Sequence, residues 1–283
     1  MWVFAQLAGP SAGVLAEPGM LAIETEGLTR LFDGKPAVEQ LALRVPEGAF
    51  YGFLGPNGAG KSTTIKMLTG LLAPTAGRAE VLGLDLGREP TEVKRLVGVV
   101  PDGLGLFDRL SGAEQLRLHG QLYGLARAEA ARRADELLAA LDLAGEAGTL
   151  VGEYSHGMRK KLALGCALIH GPRLLFLDEP FEGIDAVAVS GIRALLQDLV
   201  ARRAMTIFLT SHVLEVVERL VTHVGIIRAG RLAAQGTLEE VRGAAGSLED
   251  VFIRTVGEER TARPGLSWLG EAAGAPVPGT ERR

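Results

Sequence analysis

The chain has 283 residues, with 34 acidic and 30 basic side chains, a formal net charge of −4 and 47% hydrophobic content. That is enough apolar material for one large packed domain or two small ones, so disorder is not expected, and no overall basic excess points to nucleic acid as a partner. Its one cysteine, Cys166, has no second thiol to pair with, which suits a reducing compartment, and no apolar run is long and unbroken enough to cross a membrane.

Residues 1–20 read as a loose extension. Met1 to Gly19 is apolar but has no Lys or Arg, and Gly9, Pro10, Gly13 and Pro18 interrupt it, unlike a secretory signal. Met20, just ahead of the first strand-like run, is a candidate start. Leu21 to Glu26 and Leu41 to Val45 alternate apolar and polar residues as half-buried strands do. Ala49 to Leu54 is a short apolar run of strand character. Directly after it, Gly55-Pro56-Asn57-Gly58-Ala59-Gly60-Lys61-Ser62 completes the pattern G-x-x-x-x-G-K-[ST]. Ser62 to Leu72 then carries Ile65, Leu68 and Leu72 at helical spacing. Strand, glycine-rich loop and helix in that order aim backbone N–H groups and a helix N-terminus at phosphate oxygens. The glycines remove Cβ atoms that would obstruct the approach. Lys61 brings a charge to the β- and γ-phosphates, and Ser62 offers a hydroxyl to Mg2+. The bland alternative is a glycine-rich turn with a solvated lysine; the flanking elements argue against it.

Val97-Gly98-Val99-Val100 is a short β-branched run ended by Pro101. A helical insert follows, roughly Leu106 to Val151. Within it Ser111 to Leu125 and Ala128 to Leu143 are rich in Ala and Leu, and Leu137, Leu138 and Leu141 share one face. Ser111 with Glu114 has the form of a capping box. Further on, Ser155 can cap a helix running from Lys160 to Ile169, and Gly157 permits close backbone approach, a second candidate anion site. Taken alone this is an ordinary capped helix. Cys166 lies in its apolar stretch and reads as buried packing rather than a nucleophile. Arg173 to Leu177 predicts a strand, Ala186 to Arg202 a helix, Ala204 to Leu209 a strand, Val213 to Leu220 a helix and His223 to Ile227 a strand. This alternation predicts a mostly parallel sheet covered on both faces. Residues 257–283 are rich in Gly, Pro, Ala and Arg without periodicity and read as a mobile tail.

The run Leu174 to Leu177 ends in Asp178 and Glu179. A buried strand of an open α/β sheet delivers its last residues to the ligand crevice. Asp178 can there hold Mg2+, and Glu179 is the candidate base for an attacking water. Behind a complete phosphate loop, two merely solvated acids are the weaker reading.

Together these segments resemble the ATP-binding subunits of ABC transporters, over about Leu21 to Arg254. Residues 55–62 are similar to the Walker A motif, Leu174 to Glu179 to Walker B, and Tyr154-Ser155-His156-Gly157-Met158 to the LSGGQ signature in a divergent form. Phe181-Glu182-Gly183-Ile184-Asp185 matches the D-loop, and Thr210-Ser211-His212 the switch histidine. The resemblance implies an α/β fold: a P-loop NTPase core with a mostly parallel sheet, an N-terminal antiparallel β region, and a helical subdomain at about 106–157 within an ATPase domain of 21–256. It implies that ATP is bound by Phe32 on adenine and by Gly55, Pro56, Asn57, Gly58, Ala59, Gly60, Lys61, Ser62 and Thr63 on the phosphates. Ser155 and Gly157 would come from a second copy paired head to tail. Glu179, His212 and Lys61 would be catalytic, and Ser62, Asp178 and Asp102 would lie at Mg2+. The helical subdomain would dock on separately encoded permease subunits, placing the chain in the cytoplasm against the inner face of the membrane.

Two departures stand out. Asp102 occupies the place of the family's usual glutamine, where a carboxylate ligates Mg2+ more strongly but also repels the γ-phosphate. His156 and Met158 replace a glycine and a glutamine of the signature, while Ser155 and Gly157 remain. Gly157 to Lys161, Asp102 and Leu248-Glu249-Asp250-Val251-Phe252 resemble the ABC-2 type export ATPases. The rivals are a soluble ABC-type ATPase outside transport and a nucleotide-binding regulator that has lost hydrolysis. The presence of Lys61, Ser62, Asp178, Glu179 and His212 counts against the latter.

Overall fold

The computed structural model describes residues 20–202, 205–243 and 246–257. Apart from Met20 and Gly257, the expected N-terminal extension and C-terminal tail lie outside the described residues. In chain order the strands are β1 (Leu21–Phe32), β2 (Lys35–Leu41), β3 (Arg44–Pro46), β4 (Phe50–Leu54), β5 (Ala76–Val81), β6 (Leu84–Asp85), β7 (Val97–Val100), β8 (Leu174–Asp178), β9 (Thr206–Ser211), β10 (His223–Arg228) and β11 (Arg231–Thr237). The helices are α1 (Lys61–Leu68), α2 (Pro90–Leu96), α3 (Gly112–Leu122), α4 (Arg127–Ala140), α5 (His156–Leu168), α6 (Ala186–Ala201), α7 (Leu214–Glu218), α8 (Leu238–Arg242) and α9 (Leu248–Val256).

The main sheet has the order β11-β10-β4-β9-β8-β7. Its strands are parallel except β11, which pairs antiparallel with β10. Every residue of β4, β8 and β9 is buried. That is why β4 and Leu174 to Leu177 of β8 read as apolar runs: a parallel sheet covered on both faces has no wet side. Alternate residues feed two cores. Phe50 and Leu54 join the core built with α3 to α6, whereas Tyr51 and Phe53 join the one built with α1 and the N-terminal sheet. In the second core Phe208 stacks on Tyr51 with centroids 5.5 Å apart and lies 5.3 Å from Phe53 and 5.6 Å from Phe176. Cys166 is buried in the first core, where burial pushes its thiol up to about 12. This matches its reading as packing.

The N-terminal sheet is antiparallel, ordered β2-β1-β5-β6 with β3 also on β1. The expected strand from Leu41 to Val45 straddles a break. The Thr25 hydroxyl donates to the Leu41 carbonyl (2.9 Å) and accepts from Leu43 N–H (2.8 Å), so the chain leaves one pairing and enters another there. β1 runs past Glu26 to Phe32 because it serves both partners. Helix α1 stops before the expected Leu72. Gly70 sits at φ +66°, with Leu71 N–H bonded to the Lys66 carbonyl (2.9 Å) and Gly70 N–H to that of Met67 (3.0 Å), a Schellman ending.

In the helical insert, Ser111 and Glu114 form the expected capping box at α3, with bonds of 3.3 and 2.9 Å. Helix α5 begins at His156, earlier than expected, because Ser155 caps it by accepting from Met158 N–H at 3.2 Å. It packs against β7 at Gly98, where a Cβ would lie 2.3 Å from the Ala167 carbonyl oxygen and 3.0 Å from Leu175 Cδ1. Gly98→Ala is therefore expected to cost about 1–3 kcal/mol by overpacking, lowering the thermal midpoint. An unchanged melting curve would mean that α5 is not seated so tightly on this strand.

Candidate active site

The loop from Gly55 to Gly60 leaves the C-terminal end of β4, between β9 and β10, and enters α1. Both flanking strands end beside it, with Leu54 opposite Ser211 on one side and Ile226 on the other. Two of its glycines are dictated by space. A Cβ at Gly55 would sit 2.5 Å from the Ile227 carbonyl oxygen. One at Gly60, whose φ is +107°, would sit 2.5 Å from that of Ala37. Any side chain would open the turn. Gly58, at φ +78°, has nothing within 4 Å of its Cβ direction and faces the open cleft. The loop curls around the buried Lys61 ammonium, which donates to the carbonyls of Gly55 (2.8 Å) and Pro56 (3.4 Å).

Strand β8 brings its acids to the same end of the sheet. Asp178 and Glu179 are both buried. One hydroxyl ties them to the neighbouring strand: Thr210 Oγ1 donates to Asp178 Oδ1 at 2.7 Å and accepts from Glu179 N–H at 3.1 Å. Glu179 adopts φ +49°, a left-handed conformation that is costly for a side chain of this size. The turn directs its carboxylate between two cationic or proton-bearing groups. Glu179 Oε1 lies 3.2 Å from Lys61 Nζ, too poorly aligned for a hydrogen bond, and has no other partner. Glu179 Oε2 accepts from the His212 backbone N–H (3.3 Å) and faces His212 Nδ1 at 3.0 Å. In the tautomer that protonates Nδ1 the ring donates to this oxygen, with Nε2 on the other side of the ring.

A cleft of about 350 Å³ opens beside these groups. Pro56, Asn57, Gly58, Gly60, Lys61, Ser62 and Thr63 form one wall; Asp102, Glu179 and Glu182 line the other. Hydroxyl and carboxylate oxygens facing a phosphate loop are a hard donor set, which suits Mg2+. They also need a cation, since three carboxylates beside a triphosphate would otherwise repel it. At this wall Glu179 Oε1 has the Lys61 ammonium 3.2 Å away as its counterion but no hydrogen bond, so it can still accept one.

The remaining expected site residues lie elsewhere. Phe32 is exposed at the end of β1, with the Arg30 guanidinium 4.7 Å from its ring centroid. Asp178 borders a small void of about 10 Å³ shared with Val100, Leu104 and Lys160. Ser155 is exposed at the start of α5, and neither it nor Gly157 lines the cleft. Gly157 is buried, with its Cβ direction 3.3 Å from Ala188 Cβ, so the close approach it permits within this chain is to α6. Glu182 and Thr210 fall in the segments matched to the D-loop and the switch histidine, but neither they nor Lys160 had been given a site role from sequence. Lys160 had a signal: it falls at helical spacing between Gly157 and Leu164, a charge on a buried stripe.

A phosphate loop at the end of a parallel strand, with a paired acid strand and a glutamate held by lysine and histidine, defines a nucleotide-hydrolysing P-loop domain. The family model described as ABC transporter matches residues 38–182. The chain is 39% identical over 219 residues to the bacitracin transport ATP-binding protein BcrA of Bacillus licheniformis, covering 77% of this chain and 69% of that protein. It is 40% identical over 226 residues to the daunorubicin/doxorubicin resistance ATP-binding protein DrrA of Streptomyces peucetius, covering 80% and 68%. A solved ATP binding subunit of an ABC transporter superposes with a TM-score of 0.75 at 32% identity, over 83% of this chain and 99% of its own. The chain belongs to the ABC transporter family, as an ATP-binding and ATP-hydrolysing subunit. Among the described residues no helix is long and apolar enough to cross a membrane.

Proposed function

We propose that the chain powers export through separately encoded membrane subunits, as a head-to-tail pair with a second ATPase copy. The names of two relatives, one for bacitracin transport and one for daunorubicin/doxorubicin resistance, support export as the direction. One observation carries the pairing. The Ser155-capped start of α5 is exposed and lies outside the cleft that holds Lys61 and Glu179, so each chain offers two half-sites that do not meet within it. Residues 21–256 form the ATPase domain, with about 106–157 as the helical part that meets the membrane subunits at the inner face of the membrane.

In this reading the loop residues Gly55 to Thr63 hold the phosphates, Phe32 stacks on adenine, and Ser155 and Gly157 of the second copy close the γ-phosphate side. Glu179 orients water and takes its proton; Lys61 and His212 hold the γ-phosphoryl oxygens. Ser62, Asp178 and Asp102 would hold Mg2+, which neutralises charge on the phosphates. Purifying the chain with and without the membrane subunits tests the reading. Turnover should rise on assembly; turnover indifferent to them would favour the soluble rival.

Asp102 gives a sharper test, because it lines the same cleft as the phosphate loop. Asp102→Asn is expected to raise the Mg2+ concentration for half-maximal turnover by about threefold or more, since a neutral amide is a poorer ligand for a hard cation. Tighter ATP binding with unchanged Mg2+ dependence would instead assign Asp102 the role of opposing the γ-phosphate. Asp102→Gln, with its longer reach, separates reach from charge.

A further inference from the structure

Lys160 is a buried lysine at the edge of the site with no part in the chemistry so far described. It lies on α5, a little over one turn beyond Ser155. Its Nζ donates to the backbone carbonyl of Glu179 at 2.8 Å. Glu179 is the strained residue of the site, at φ +49°. Its N–H is fixed from β9 by Thr210, at 3.1 Å. Its carbonyl is fixed from α5 by Lys160. The conformation that aims the carboxylate is thus gripped from two separate elements.

The first turn of α5 is not free to move alone. Gly157 abuts Ala188, and a Cβ at Gly183 would lie 3.3 Å from His156 Nε2, so this turn packs against α6 and the loop that leads into it. The ammonium is held in place electrostatically as well. Burial lowers its pKa and outweighs the opposing pull of Glu182, Asp102 and Glu179, the acids that face it around the cleft.

We propose that Lys160 is a positioning residue that ties the start of α5, where the second copy's nucleotide would lie, to the carboxylate serving this chain's own nucleotide. The inference rests on the head-to-tail reading. Engagement of the partner's ATP at Ser155 sets α5, and Lys160, a little over one turn along that helix, transmits that setting to the Glu179 backbone it bonds. Each site then hydrolyses only when the other is occupied.

The experiment compares Lys160→Met, Lys160→Gln and Lys160→Arg in the full chain assembled with its membrane subunits. Lys160→Met keeps the stem and removes the donor. Its kcat should fall by about tenfold or more while ATP affinity stays within about twofold, and the Hill coefficient for ATP should drop to about one. Lys160→Arg, which keeps charge and donor, should recover most of the turnover. Lys160→Met turning over within about twofold of the parent chain would overturn the proposal, as would an equal loss of ATP binding and turnover, the mark of a folding role. If Lys160→Met does not fold, Lys160→Gln, whose amide nitrogen is neutral and falls one bond short of the Lys160 Nζ, is judged by the same criteria. The head-to-tail reading has its own control: Glu179→Gln that stays monomeric in ATP refutes the pairing. Pairing with undiminished turnover in Lys160→Met refutes only the role of Lys160.

Discussion

Glu179→Gln is expected to bind ATP at least as tightly as the parent chain and to hydrolyse it about 10²–10⁴-fold more slowly. The bonds that shape the turn are to its backbone, Thr210 to its N–H and Lys160 to its carbonyl, and they survive the change. The amide oxygen can still accept from His212, so the side chain keeps its place. What is lost is the proton acceptor and the negative charge. With that charge gone, Lys61, now 3.2 Å from a carboxylate oxygen, is no longer shared between the acid and phosphate. Binding therefore holds or tightens while the chemical step stalls, and an ATP-bound pair accumulates. Single-turnover hydrolysis together with sedimentation in ATP checks this. Near-parental turnover in the assembled complex would mean that another group takes the proton.

Ser155→Arg should leave ATP binding to the single chain intact and abolish ATP-driven pairing. Ser155 is exposed and lies outside the cleft, so nothing in the chain's own phosphate site is disturbed. The substitution removes the cap on Met158 N–H, a loss of about 1 kcal/mol, which a folded domain tolerates. The guanidinium would be attracted to phosphate. The block is therefore steric: its bulk holds the α5 N-terminus away from the second nucleotide. Ser155→Ala isolates the cost of the lost cap. Loss of monomer binding in Ser155→Arg, to the same extent as pairing, would place Ser155 in the chain's own pocket and refute the shared site.

What could be read from the sequence follows from how local each signal is. The phosphate loop was legible because its fixed residues lie side by side from Gly55 to Ser62, although the atoms that demand glycine at Gly55 and Gly60 belong to Ile227 and Ala37. Strand β4 and Leu174 to Leu177 of β8 were legible as apolar runs because both their faces are covered. The N-terminal sheet was only half legible. β5 pairs with β1 from a distant stretch of chain, and nothing nearby announces it; β6 pairs with β5, and β2 follows β1 across the tight turn Asp33-Gly34, a local hairpin signal that the strand readings did not use. Helix α2, strand β11 and helix α8 went unread because they are short and bury few side chains fully. Within the site, Asp178 and Glu179 stood out as strand-end acids. Thr210, which ties them together, is an ordinary strand residue until β8 and β9 are side by side.

The floor under the phosphate loop has an awkward history in time. β4 is synthesised early, yet both of its sheet neighbours, β9 and β10, come from the last third of the chain. Its entry is pinned in the same way. Gly48 N–H donates to Thr206 at 2.9 Å, across 158 residues, and Phe50 N–H to Thr222 at 3.1 Å, across 172. A nascent chain thus displays the whole loop on the ribosome long before anything holds it in shape, while the apolar β4 waits uncovered. Contacts of such sequence separation form late and slowly. Fragments ending before β9 should therefore fail to retain ATP although every loop residue is present. Nucleotide added during synthesis should protect the chain from protease only after β10 has emerged.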